Sequence, residues 1–327
     1  MDIDPQSSVD AFVNLAHNLR DRGLVERANS INLARLGSTQ SVAGFSNFGL
    51  TRLADGRWPE GWHYNEFRWL REPLLSMRPH YQRPQWDGQD LTGKTILIRG
   101  EQGIGDVIQF LRYARFVKAL GARVLLRLPP GLDDIARGVH GVDRVLASGE
   151  QEEFDFYVHT LSLPRIFGTD RETIPEPLRY IESDAGRSAR WRPVITSNKR
   201  LKVAIVWAGS ANHIRDGERS VGFDTFKALF ATPDVHFYSL QKGPPASAIK
   251  AHQFSNLTVL SDDIADFSDT AAIIDLVDIV VCVDTSVAHL AGAMGKPVWL
   301  LNAQPGDWRW FGTSDRTPWY PSMRIFR

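Results

Sequence analysis

The spacing of apolar residues divides this chain into parts with different periods. Through residues 1–72 apolar side chains recur at helical intervals, and no stretch reads convincingly as a strand. From Lys94 the texture changes to short, nearly unbroken apolar runs separated by helix-period segments. These runs predict strands at 95–99, 124–128, 144–146 and 155–158. After a polar stretch from Asp184 to Arg200 they resume at 203–207, 236–240, 258–260, 279–283 and 298–301. Continuous apolar strands alternating with helices indicate parallel sheets covered on both faces. The expectation is an α/β protein with a helical segment at 1–75, a first wound half at 90–190 and a second at 200–305. An aromatic tail at 306–327, helical in part, is expected to pack back on the first half. Arg78–Gln85, punctuated by proline, reads as an extended connection.

Within the helical segment, Asn14-Leu15-Ala16 through Gly23 to Ala28 resembles Asn47-Phe48-Gly49 through Gly56 to Gly61. Gly23 and Gly56 lie 33 residues apart, close to the period of about 34 residues of tetratricopeptide repeats. About two units fit. So short an array leaves its apolar face uncovered, so it is expected to pack on the next domain.

Composition narrows the choices. The chain is 43% hydrophobic and 23% charged, as in an ordinary globular protein. Lysine plus arginine balance aspartate plus glutamate at 38 each, which leaves no basic field for nucleic acid or anionic lipid. Any anion site must be local. No apolar run approaches the roughly 20 residues that span a bilayer, and Met1–Pro5 is acidic, unlike a secretory leader. A cytoplasmic location is expected. Cys282 stands alone in an apolar run, so neither a disulfide framework nor a cysteine metal cluster is expected.

Candidate chemistry gathers at two strand-turn-helix junctions. Gly100-Glu101-Gln102-Gly103-Ile104-Gly105-Asp106 lies between the strand at 95–99 and a helix whose apolar face is Val107, Phe110, Leu111, Ala114, Val117 and Leu120. Such a turn puts backbone N–H groups and one carboxylate at the mouth of a Rossmann-like half, the edge where these sheets bind ligands. Asp106 is the candidate catalytic carboxylate, with plain helix capping as its alternative. Glu101, Gln102, Gly105 and Gln109 are candidate acceptor contacts. The second junction, Asp284-Thr285-Ser286-Val287-Ala288-His289, follows the strand at 279–283. Asp284 or Thr285 caps a helix of small residues whose free N–H groups and dipole favour a phosphate. Side chains of Thr285, Ser286 and His289 are placed to add hydrogen bonds. The loop Ser210–Ser220 brings Arg215 and Arg219, side chains suited to phosphate oxygens, to the same edge. Gly209, Ser210, Gln241, Lys242 and Asp284 complete the candidate nucleotide contacts. A solvated surface loop is the alternative for 210–220.

These motifs, with Gln109-Phe110, Arg112-Tyr113, Trp207-Ala208-Gly209, Arg219-Ser220, Asp266-Phe267, Asp269-Thr270-Ala271, Asp307-Trp308-Arg309-Trp310 and Trp319-Tyr320-Pro321, resemble the core of bacterial tetratricopeptide-repeat glycosyltransferase-like proteins. The resemblance covers about 47–327. That family is similar to the ADP-heptose:lipopolysaccharide heptosyltransferases and shares their GT-B fold, two Rossmann-like domains facing across a cleft. The resemblance implies that Gly105-Asp106 holds the proposed catalytic base. It also implies that Asp284-Thr285-Ser286-Val287-Ala288-His289 grips a donor diphosphate, with serine where the family has glycine. The family's basic residue near the donor is often lysine; here Arg215 or Arg219 takes that place.

The implied activity is an inverting, metal-independent glycosyltransferase in which closure of the two halves excludes water. No Asp-x-Asp sits at a strand end to hold a divalent ion. The nucleotide-sugar is a substrate, and no cofactor is expected. The acceptor is a protein or a glycan, and an exposed helical face can support a homodimer. The competing readings are a non-catalytic binding or adaptor protein and a GT-B sugar-nucleotide epimerase.

Overall fold

The computed structural model describes residues 42–327 except 71, 73, 176–178, 212, 214–215, 305 and 313. The chain divides into two compact units, one of 1–82, 164–174 and 304–313, the other of 83–163, 175–303 and 314–327. Helices of seven or more residues are numbered below.

The first copy of the expected repeat, at 14–28, lies outside the described residues. The second is a helix pair, α1 (Val42–Ala54) and α2 (Trp58–Asn65). Gly56 turns the chain between them at φ +78°, a conformation that glycine adopts without steric penalty. The helices approach closely because Gly49 and Gly61 lack side chains. A Cβ on Gly49 would lie 2.8 Å from the Asn65 nitrogen, and one on Gly61 2.7 Å from Leu53 Cδ2. Trp58 Nε1–H closes the pair by donating to the Leu53 carbonyl at 2.9 Å. Segments distant in sequence complete this unit. Trp62 Nε1–H donates to the Thr169 carbonyl at 2.8 Å, and Trp308 packs edge-on against Trp58 and Trp62 at 6.3 and 5.4 Å.

The other unit holds both sheets. The first comprises β1 (Thr95–Arg99), β2 (Arg123–Arg127), β3 (Arg144–Val145) and β4 (Phe156–His159), in the order β3-β2-β1-β4. The second comprises β5 (Leu201–Val206), β6 (Val235–Ser239), β7 (Leu257–Val259), β8 (Ile279–Val283), β9 (Val298–Leu301) and β10 (Met323–Phe326), in the order β10-β9-β8-β5-β6-β7. Every pairing is parallel. The expected strands are thus present, shifted at several ends, and the two halves gather into one compact unit. In register, Val206 of β5 faces Cys282 of β8, and Val283 of β8 faces Leu301 of β9. The loops leaving those three strands therefore emerge side by side at one sheet edge.

Two features go beyond the sequence pattern. The polar stretch 184–200 is a helix, α4 (Ala185–Ile195), whose cap Asp184 accepts from the Arg187 N–H. Ser188, Trp191 and Ile195 form its buried stripe, while arginines and Pro193 mask the period. The helix packs against α5 (Phe267–Leu276) around the fully buried Asp269. The Asp269 carboxylate accepts from Arg187 (3.0 Å), Trp191 Nε1 (2.9 Å) and the Ala265 N–H (2.9 Å). Burial pushes its pKa up, but those hydrogen bonds and the Arg187 charge outweigh it and hold the carboxyl below its ordinary range. The tail does pack on the first half through Trp319, whose ring meets Phe110 edge-on at 5.8 Å and whose carbonyl accepts from Arg112, but it does not dock as one piece. Residues 304–313 belong with the helices, whereas 314–327 add β10 to the second sheet.

Candidate active site

The first wall begins where β1 ends. Gly100 N–H donates to the Arg127 carbonyl at 2.9 Å, and a Cβ there would strike Pro129 Cδ at 2.9 Å. Gln102 is then held at φ +62°, a left-handed conformation that a residue with a side chain occupies only under strain. The tight turn delivers Gly103 as the cap of α3 (Ile104–Phe110). Asp106, half-buried, accepts from the Gly103 N–H at 3.1 Å. Its carboxylate therefore lies across the turn it was expected to occupy.

The second wall begins where β8 ends. Thr285 caps α6 (Ser286–Ala293), and its Oγ1 accepts from the Val287 N–H at 3.2 Å. The Thr285 carbonyl accepts from the Ala288 N–H at 3.0 Å. No described residue accepts from the Ser286 N–H, so this amide at the helix tip remains open to an anion. Asp284, the other capping candidate, is half-buried just before it.

The two walls meet. A Cβ added to Gly105 would lie 2.7 Å from Cδ2 and 3.2 Å from Nε2 of His289. The edge of the His289 imidazole therefore rests on the backbone of Gly105, one residue before Asp106, and α3 packs along α6. The opposite nitrogen, Nδ1, lies 2.9 Å from the Tyr320 hydroxyl. The Tyr320 ring occupies the space that a side chain at Gly292 would fill.

Beneath these residues Arg112 is almost fully buried. Its Nη2 donates to the Trp319 carbonyl at 2.8 Å and its Nε to the Gln109 carbonyl at 2.9 Å. The guanidinium lies over the rings of Tyr180, Trp319 and Tyr320 at 5.1, 5.0 and 5.2 Å. Among the described residues no carboxylate forms an ion pair with it. Burial opposes its charge, yet Tyr180 and Tyr320 leave its pKa above the ordinary value. Carbonyl oxygens and aromatic faces hold the cation there.

The loop after β5 supplies a third side. Arg219 lays its guanidinium on Gly209, where a Cβ would be 2.6 Å from Nη2, and its Nε approaches Asp216 at 3.3 Å. Gly209 N–H donates to Ser220 Oγ at 2.9 Å, leaving Ser210 exposed. Arg215 lies outside the described residues.

Four other expected contacts serve the fold. Gln241 Oε1 accepts from the Trp207 and Ala208 N–H groups, and its Nε2 donates to the Ala208 and Lys242 carbonyls. Those four bonds use up its amide, so it has no capacity for a ribose. Lys242 Nζ donates to the Ser261 and Ile264 carbonyls, both at 2.7 Å. Glu101 is buried and accepts from the Leu161 N–H at 3.2 Å, while Gln109 is a fully buried residue of α3. Of the candidate acceptor contacts, Gln102 is exposed and Gly105 half-buried. Tyr320 and Arg112 are what the motif reading missed as parts of the site. Both stood in quoted motifs, but nothing in linear spacing connects either to His289.

A cavity of about 430 Å³ opens at the head of α4, lined in part by Asp134, Arg137, Glu182, Ser183, Asp184 and Arg187. Its charges are already paired, Arg187 with Asp134 and Asp266, and Glu182 with Arg179 and His140. None of Asp106, Thr285 and His289 lines it. The junction of α3 and α6 is therefore the better candidate.

Residues 249–316 match the model of glycosyltransferase family 9 (heptosyltransferase), a window that includes the Thr285–His289 turn. Over 97% of its length the chain is 28% identical to Protein FlbA of Caulobacter vibrioides, and it spans 58% of the length of that curated relative. Among solved structures it is similar to a family 9 glycosyl transferase from Veillonella parvula, with a TM-score of 0.54 and 10% identity over 74% of this chain and 88% of that one. The E. coli ADP-heptose lps heptosyltransferase II gives 0.52 and 13% over 71% and 90%. The fold is thus an α/β architecture of parallel sheets like that of family 9 glycosyltransferases. No described helix is long and apolar enough to cross a membrane.

Proposed function

We propose that this chain is an inverting glycosyltransferase that moves a sugar from a nucleotide-sugar to a hydroxyl of a protein or glycan acceptor, without requiring a divalent ion. The observation that carries the proposal is the contact of His289, in the first turn of α6, with Gly105, the residue preceding Asp106. The family match over the second junction supports it.

In the proposed reaction the acceptor oxygen attacks the anomeric carbon as the bond from that carbon to the phosphate oxygen breaks. The hydroxyl proton passes to Asp106, and the nucleoside diphosphate departs with the electron pair. The Ser286 amide, the hydroxyls of Thr285 and Ser286, His289 and Arg219 stabilise the leaving charge. Hydrogen bonds to charged groups are worth about 1.5–3 kcal/mol each, so a few of them hold a diphosphate in place of a metal ion.

Asp106→Asn is expected to lower kcat by about 10²–10⁴-fold. A nucleoside diphosphate at 100 times its Kd is expected still to stabilise the variant by about 2.7 kcal/mol in a thermal-shift assay. Equal rates for wild type and variant would remove Asp106 from the mechanism. Nucleotide-sugar incubated without acceptor should yield no epimer, and chelator should leave transfer unchanged.

A further inference from the structure

We infer that Asn302 is a ligand-binding residue whose carboxamide N–H joins the open Ser286 amide in holding the diphosphate of a nucleotide-sugar. The inference deepens the sugar-transfer reading and rests on it for the identity of the ligand.

Asn302 follows β9 directly, and its N–H donates to the Phe326 carbonyl at 2.8 Å, so the ladder with β10 runs one residue past the strand. Val283 faces Leu301 in register. Asn302 therefore stands beside Asp284, at the sheet edge where α6 begins. Side chains along a strand alternate between its two faces. Leu301 packs on the core built around Phe223, Phe226 and Phe230, a cluster to which α6 contributes no residue. Val298, Leu300 and Asn302 consequently belong to the other face, the one on which α6 packs against β8 and β9. That puts the Asn302 side chain at the head of α6.

Asn302 is only 7% exposed. Its Nδ2 nevertheless has no hydrogen-bond partner, and no described residue bonds its Oδ1. The neighbouring Asp284 carboxylate does not take the amide. Gln241, which follows β6, bonds nearby backbone through both ends of its carboxamide; Asn302 makes no such bond. A buried amide without partners destabilises the ligand-free fold, whereas an apolar side chain of the same shape does not. An acceptor arriving from outside removes that penalty. The Ser286 N–H and the positive end of α6 at the same edge favour an acceptor that carries negative charge. With neither end bonded, nothing holds the carboxamide against turning an N–H toward that ligand.

Isothermal titration calorimetry with ADP, UDP and inorganic pyrophosphate tests the assignment. Asn302→Leu removes the polar ends with little change of shape. It should weaken every ligand that the wild type binds by one common factor, about 10- to 100-fold, and without ligand it should melt no lower than the wild type. Asn302→Asp sets a like charge against the phosphates and should weaken them at least as much. Unaltered pyrophosphate affinity in either folded variant overturns the inference, as does a loss confined to the nucleotides or a wild type that binds none of the three. A protein that transfers sugar with equal nucleotide affinity in the variants removes Asn302 and keeps the proposed activity. One that transfers no sugar, yet binds pyrophosphate through Asn302, sinks the activity and leaves the anion contact standing.

Discussion

Gly105 illustrates what a single hydrogen atom in place of a side chain does here. With 2.7 Å between a prospective Cβ and His289 Cδ2, Gly105→Ala must push the imidazole aside or tilt α3. Misplacement on the order of 1 Å costs catalysis about 100-fold, so kcat/KM should fall about 10- to 100-fold while the thermal midpoint moves by only a few degrees. Steady-state kinetics beside a melting curve checks this, and an unchanged kcat/KM would show that the contact is incidental. The motif reading picked out Gly105, Asp106, Thr285 and His289 because their spacing places them at junctions of strand and helix. It could not sort Gln241, Lys242 and Glu101 from ligand contacts. A polar residue after a strand looks the same in sequence whether its partner is a nucleotide or the backbone of the next loop.

At the scale of an element, α4 was hidden by its own composition. Its stripe of Ser188, Trp191 and Ile195 is interrupted by arginines whose duty is to reach Asp269 and Asp266 on and beside α5. Asp269→Asn strips a fully buried carboxylate from Arg187 and Trp191. Breaking a buried pair in this way costs about 3–5 kcal/mol, readable by urea denaturation at neutral pH. Because the folded pKa of Asp269 lies below the ordinary carboxylate value, the unfolded chain takes up the proton first on acidification. Its contribution is therefore complete above the unfolded pKa of about 3.9 and is lost as pH falls through the lower folded value. The difference in stability between wild type and variant should accordingly shrink below about pH 4. A constant difference down to pH 2 would mean that the carboxylate charge is not what stabilises the junction.

For the molecule as a whole, both parallel sheets were legible, since buried strands announce themselves as apolar runs. Their union in one compact unit was not, because it depends on Arg112, Tyr180 and Tyr320 meeting across long separations in sequence. Nor was the division of the tail. Its tryptophans have no period to tell Trp308, which joins the helices, from Trp319, which covers Arg112. That cover also bears on how a ligand gets in. A swinging motion that parted α3 from α6 would strip the Trp319 carbonyl and three aromatic faces from a lone cation, so jaw-like gaping is disfavoured. On the proposed function, a nucleotide-sugar would enter along the strand ends with α3 and α6 still packed together. Backbone amides of 107–112 should therefore resist deuterium equally with and without nucleotide, and rapid exchange there in the empty protein would reveal an opening jaw.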